Sequence, residues 1–191
     1  MMHRSTSRRA PRWRPARHYL RSAVSAGLWD WLLDAASLTR RLQIACGDNF
    51  QVQVLRQRWG NPLAGERRAL GIRQGGRALI REVQLMCGAT PWVYARTVIP
   101  VQTLRGPQRR LAHLGSKPLG AALFADPNLG RGEVEVARIA AGEKLFAQAL
   151  GEAISTEAIW GRRSLFWTGG APLLVSEFFL PALFRERVQD Y

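Results

Sequence analysis

The sequence predicts an α+β fold, a single domain with a six-stranded antiparallel sheet and helices covering one face and the ligand pocket. Three observations carry this. Several segments alternate apolar and polar residues with a period of two, the pattern of half-buried strands. Two pairs of such segments are separated by turn-forming residues, Gly88-Ala89-Thr90-Pro91 and Gly169-Gly170-Ala171, and so read as hairpins. Helical stretches fall between strands without the regular alternation of a doubly wound parallel sheet.

The elements follow in order. Leu28, Trp31, Leu32, Ala35 and Ala36 recur at helical spacing. Ser37 is placed to cap a second helix over Leu38 to Ala45, and Gly47-Asp48-Asn49 turns the chain. Phe50, Val52 and Val54 alternate with Gln51 and Gln53 as a first strand. Residues 60–76, with Gly60, Pro62, Gly71, Gly75 and Gly76, read mainly as loop. Strands follow over Arg77 to Cys87 and Trp92 to Ile99, then short helices over Pro107 to Leu114 and up to Phe124. Residues 133–139 alternate as a strand, and residues 142–158 have the composition of a surface helix. Arg163 to Thr168 and Pro172 to Leu180 form the second hairpin.

The chain has 191 residues, the size of one domain, and a globular hydrophobic content of 47%. Its formal net charge is +14, and all its cations except Lys117 and Lys144 are arginine. Residues 1–21 hold seven arginines and no acid; the first carboxylate is Asp30. Residues 1–27 therefore read as a basic, disordered tail ahead of a domain at 28–184, with a second tail at 185–191. The basic tail suits weak contact with a membrane surface or another polyanion. No apolar run approaches the roughly 18 residues of a membrane span. Cys46 and Cys87 are too few for a disulfide framework or a cysteine zinc site, and His3, His18 and His113 lack metal-ligand spacing. The Gly-Gly pairs lack the phosphate-loop pattern, and Arg109-Arg110 and Arg162-Arg163 read as solvated faces. The seven tryptophans are scattered and read as core and loop anchors rather than a stacking array for single-stranded nucleic acid.

Alternation singles out two charges. Leu79, Arg81, Val83, Leu85 and Cys87 share one strand face, so Arg81 is a lone cation among apolar residues. The run from Pro172 to Pro181 is apolar on both faces, and Glu177 aligns with Leu173, Val175 and Phe179. A carboxylate there needs a partner or a raised pKa. Either Arg81 and Glu177 pair with each other as a structural salt bridge, or both face an apolar pocket and await a polar ligand.

Six blocks then resemble the chorismate pyruvate-lyase family: Trp31-Leu32-Leu33 with Ser37-Leu38-Thr39-Arg40-Arg41; Leu79 to Val83; Pro91 to Pro100; Leu114 to Gly120; Trp160 to Ser164; and Leu173 to Pro181. The resemblance implies a lyase that needs neither cofactor nor metal and converts chorismate to 4-hydroxybenzoate and pyruvate, opening ubiquinone biosynthesis. It implies that Arg81 holds the ring carboxylate and Glu177 meets the ring hydroxyl, as catalytic residues. Backbone around Leu38 and Leu119 is implied to close the pocket. The family's methionine is leucine at position 38, segment 142–158 is longer than in the shortest members, and the basic tail has no counterpart. The resulting expectation is a cytoplasmic monomer with slow product release from a dry, lidded site, and no nucleic-acid partner. The competing reading is a non-catalytic sensor of small aromatic acids, since the same sheet architecture resembles effector-binding domains of transcriptional regulators. Residues 1–27 are too short and proline-interrupted to supply a helix-turn-helix module.

Overall fold

The computed structural model describes residues 10–19, 24–150 and 156–185. Eight strands make one antiparallel sheet among these residues. Six are substantial: β2 (Phe50–Gly60), β3 (Ala78–Cys87), β4 (Thr90–Pro100), β6 (Glu135–Ala140), β7 (Ala158–Thr168) and β8 (Ala171–Phe179). Two more, β1 (Arg14–Pro15) and β5 (Gly130–Arg131), have two residues each. The order across the sheet is β1-β6-β7-β8-β4-β3-β2, with β5 pairing the far end of β7.

The two hairpins form where glycine permits the turn, with Gly88, Gly169 and Gly170 all at positive φ. They build the central strands: β3 pairs with β4, and β7 with β8. Pairing of β4 with β8 joins the hairpins, setting Ala95 opposite Glu177 and Thr97 opposite Val175.

Helices lie on both faces, not one as the sequence suggested. On the first face, α1 (Ala26–Leu33) and α2 (Leu38–Cys46) bury Trp31, Leu32, Leu38 and Leu42 against Val83, Leu85 and Phe179. Ser25 and Ser37 cap these helices, each hydroxyl accepting a backbone N–H of the first turn. A 3-10 helix at Gly106–His113 and the short α4 (Leu119–Phe124) pack Leu111 and Leu123 over Leu79, Ile99 and Leu173. On the opposite face, α3 (Ala64–Leu70) and α5 (Lys144–Leu150) cover the sheet; a final turn, α6 (Ala182–Arg185), follows β8 and packs Leu183 into the first-face cluster. Two helices thus depart from the sequence reading. The stretch taken as loop contains α3, where Glu66 accepts the Leu63 N–H at 2.7 Å. The expected surface helix is shorter within the described residues and buries Leu145, Phe146, Ala149 and Leu150 against Tyr94 and Phe178.

The described part of the basic N-terminal segment is not a free arm. Arg14 and Pro15 pair with Val136 and Glu135, and Trp13 packs edge-on against Phe178. Residues 1–9, 20–23, 151–155 and 186–191 lie outside the described residues, and with them most of both expected tails. Cys46, at the end of α2, and Cys87, at the end of β3, form a disulfide across 41 residues of chain. No helix among the described residues is long and apolar enough to cross a membrane.

Candidate active site

The sheet divides its charges between its two faces, because successive side chains of a strand point opposite ways. Arg81 and Glu82, Arg162 and Arg163, and Ser176 and Glu177 are neighbours in sequence and belong to different faces.

On the face away from the pocket the buried charges are paired with one another. Arg96 binds Glu66 through Nε at 2.6 Å and Nη2 at 3.1 Å, and Glu82 through Nη1 at 2.5 Å. The Tyr94 hydroxyl donates to the same Glu82 oxygen at 3.0 Å. Burial opposes the charge of Arg96, but Glu66 and Glu82 outweigh it and raise the pKa above the ordinary guanidinium value. Burial and the adjacent Glu82 likewise push the Tyr94 phenol up. Arg163 pairs with Glu135 at 2.7 Å and lies over the Trp13 ring.

The other face contains a pocket floored by β3, β4, β7 and β8 and roofed by two short helices. Arg81, Val83, Ala95, Thr97, Val175 and Glu177 lie on its floor. Ser37, Leu38 and Thr39 at the start of α2, and Pro118, Leu119 and Gly120 at the start of α4, form its roof. The two roof pieces touch: a Cβ on Gly120 would sit 3.1 Å from the Thr39 hydroxyl and 3.2 Å from that of Ser37. All four residues expected at the site, Leu38, Arg81, Leu119 and Glu177, line this one cavity.

Arg81 is 2% exposed and hydrogen-bonds two neutral acceptors, Gln57 Oε1 and the Lys117 carbonyl, each at 3.3 Å. No carboxylate among the described residues pairs with it. Burial therefore pulls its pKa below the ordinary guanidinium value, the condition of a cation still lacking its counter-ion.

Glu177 has a partner, but it is not Arg81. Arg162, directly opposite on β7, donates from Nε to Glu177 Oε2 at 2.6 Å. The salt bridge between Arg81 and Glu177 envisaged from the sequence is not formed: their strands are separated by β4, and Arg162 is nearer. Arg162 is 2% exposed, so its reading as part of a solvated face fails, as does that of Arg163. Its Nη1 also donates to the carbonyls of Trp31 at 2.9 Å and Asp34 at 2.6 Å, at the C-terminal end of α1. Those carbonyls have lost their helical partners and welcome a cation. One arginine thus fixes Glu177 and moors the first helix. Glu177 keeps 18% of its side chain exposed, toward the cavity.

Sequence reasoning also missed Arg131. It sits on β5, reaches over the Phe166 ring and donates to the Ser164 hydroxyl at 3.4 Å and to the Ala35 carbonyl. A two-residue strand offers no alternation that could have marked it. Among the described residues no group of three or more His, Cys, Asp or Glu is arranged to hold a metal ion.

The pocket can bind an elongated polar molecule with an anionic end at Arg81 and a hydroxyl at Glu177, out of water. Comparison with known proteins gives the family. The family model for chorismate lyase matches residues 9–189. A "probable chorismate pyruvate-lyase" of Methylococcus capsulatus is 47% identical over 153 residues, covering 80% of this chain and 94% of that protein. A relative of the same name from Azoarcus sp. is 48% identical over 158 residues, covering 80% and 83%. Among solved structures, a GntR-family transcriptional regulator from Bacillus cereus superposes with a TM-score of 0.53 at 13% identity, over 71% of this chain and 94% of that one. At such low identity the likeness speaks for the fold alone.

Proposed function

Because this chain belongs to the chorismate lyase family, we propose that its pocket converts chorismate to 4-hydroxybenzoate and pyruvate, the reaction that opens ubiquinone biosynthesis. The observation that carries the reading is the pair of opposed groups in one water-poor cavity: Arg81 without a carboxylate partner among the described residues, and Glu177 held by Arg162.

Chorismate carries a ring carboxylate, a carbinol and, beside the carbinol, an enolpyruvyl ether. Arg81 receives the ring carboxylate through its planar guanidinium. Glu177, on the far side of the ring, accepts the carbinol O–H. The ring–oxygen bond of the ether then breaks, the carbinol carbon loses its hydrogen as a proton, and the ring becomes aromatic. The departing enolpyruvate takes up a proton on its methylene carbon and becomes pyruvate, so atoms and charge balance. Aromatisation supplies the driving force, and the protein contributes orientation and electrostatic complementarity. Arg162 acts through Glu177, fixing the carboxylate's direction and charge. The roof pieces around Leu38 and Leu119 exclude water and make product release slow.

The test is direct. Purified protein is mixed with chorismate, and 4-hydroxybenzoate and pyruvate are measured. Arg81→Ala and Glu177→Ala are each expected to lower turnover about tenfold or more. Near-wild-type turnover in a well-folded Arg81→Ala variant would sink the assignment. Added 4-hydroxybenzoate is expected to inhibit strongly; no inhibition at millimolar product counts against slow release. Ligand binding without turnover by the wild-type protein would mark a sensor instead.

A further inference from the structure

The pocket holds more positive charge than the two contacts above use. Arg81, Arg131 and Arg162 line it against a single carboxylate, Glu177. Glu177 neutralises Arg162 at 2.6 Å, leaving Arg81 and Arg131 uncompensated. The partners of Arg131 are a carbonyl, a hydroxyl and an aromatic ring, all uncharged, and no carboxylate among the described residues lies within ion-pairing distance of it. Burial lowers its pKa and repulsion from Arg162 adds to this, against weaker help from Glu177 and Asp34. Among the described residues, the buried Arg81 and the half-buried Arg131 thus share one cavity without counter-ions, an arrangement that costs free energy until anions arrive.

Their placement has an order. Across the sheet the pocket residues run from Arg81 on β3, past β4, to Glu177 on β8, Arg162 on β7 and Arg131 on β5. Four strand spacings of about 4.8 Å set the Arg81 and Arg131 backbones roughly 19 Å apart, with Glu177 between them. Both long side chains reach inward and shorten that gap.

We propose that Arg131 is the second anion subsite of this pocket and binds the carboxylate of the substrate's enolpyruvyl arm. This rests on the lyase reading and extends it. A ring carboxylate at Arg81 and a hydroxyl at Glu177 direct a substituent beside that hydroxyl onward to Arg131. Two uncompensated cations match a dicarboxylate. After cleavage the two carboxylates belong to different molecules. The aromatic product keeps its contact with Arg81 and has none with Arg131, while pyruvate takes the Arg131 end.

The experiment compares a dianion with a monoanion. Equilibrium binding is measured for 4-hydroxybenzoate and for the enolpyruvyl ether of 3-hydroxybenzoate, a stable aromatic dicarboxylate, alongside steady-state kinetics with chorismate. Arg131→Met is expected to lower kcat/KM by about 30-fold and to abolish the wild-type preference for the dicarboxylate. Its 4-hydroxybenzoate affinity should stay within about threefold of wild type, which also reports a correctly folded pocket. Arg81→Met is expected to weaken both ligands, and Arg131→Lys to restore part of the dicarboxylate preference. An Arg131→Met variant that keeps the preference, or that loses both ligands equally, overturns the subsite. A wild-type protein that prefers the dicarboxylate yet turns over no chorismate overturns the lyase reading and leaves the subsite standing.

Discussion

Replacing Arg96 by methionine separates structural charges from functional ones. Arg96 is the cation between two buried carboxylates, Glu66 and Glu82, each 6–7% exposed along its side chain. Methionine fills similar space but leaves both acids without their main partner. Removing one member of a buried ion pair costs about 3–5 kcal/mol. Here two acids are orphaned, but each keeps some support. Glu66 still accepts the Leu63 N–H, and Glu82 still accepts the Tyr94 hydroxyl and has the exposed Arg56 at 3.6 Å. The loss should therefore stay near that range rather than double it, lowering Tm by roughly 6–20 °C for a chain of this size. Acid should relieve the defect, because a protonated carboxyl costs less to bury than a carboxylate. The gap from wild type should thus narrow as the pH falls. Thermal unfolding of both proteins over a range of pH measures it. A variant also carrying Glu66→Gln and Glu82→Gln should recover part of the loss at neutral pH. A single variant as stable as wild type, or a gap that widens on acidification, would refute the reasoning.

Two further predictions concern the pocket's supports. Reducing the disulfide, or replacing Cys46 and Cys87 by serine, frees a 41-residue loop; the chain-entropy relation puts its worth at about 4 kcal/mol as an upper figure. A Tm unchanged by reductant would show that the bridge contributes nothing. A reducing cytoplasm keeps such pairs as thiols, so the reduced protein is the form to assay for a cytoplasmic role. Gly161→Ala should destabilise by about 1–3 kcal/mol, the usual cost of overpacking. Its Cβ would stand 2.7 Å from the Phe178 ring and 3.1 Å from the Glu177 carbonyl oxygen. Wild-type unfolding and turnover in this variant would contradict the packing described for β7 and β8.

The long strands were legible because alternation is a local signal. Arg81 stood out against Leu79, Val83 and Leu85, and Glu177 against an otherwise apolar run; both lie in the pocket. The partner of Glu177 was not legible, because it depends on cross-strand register. The sequence reading started β7 at Arg163, so Arg162 fell outside the strand and looked solvated, whereas β7 starts at Ala158. Arg131 and β1 belong to strands too short to alternate. Helix α3 was hidden among glycines and a proline that punctuate the chain on both sides of it. The disulfide joins elements brought together by the pairing of β2 with β3, which no local pattern announces.

The splitting of neighbouring charges between opposite sheet faces limits how this chain can vary. Arg81 and Arg162 line the pocket while Glu82 and Arg163 belong to the opposite face. A one-residue insertion or deletion upstream within β3 or β7 would turn each pair over. In β3 it would carry Glu82 into the anion site and Arg81 out of it, and in β7 it would take Arg162 away from Glu177 and put Arg163 on that face, whatever the amino acid inserted. Length changes are therefore tolerable at the Gly88 and Gly169-Gly170 turns and in loops beyond the strands, while the strands themselves can drift only by substitution. Genes of this family should accordingly accumulate indels between sheet segments and almost none within β3 and β7.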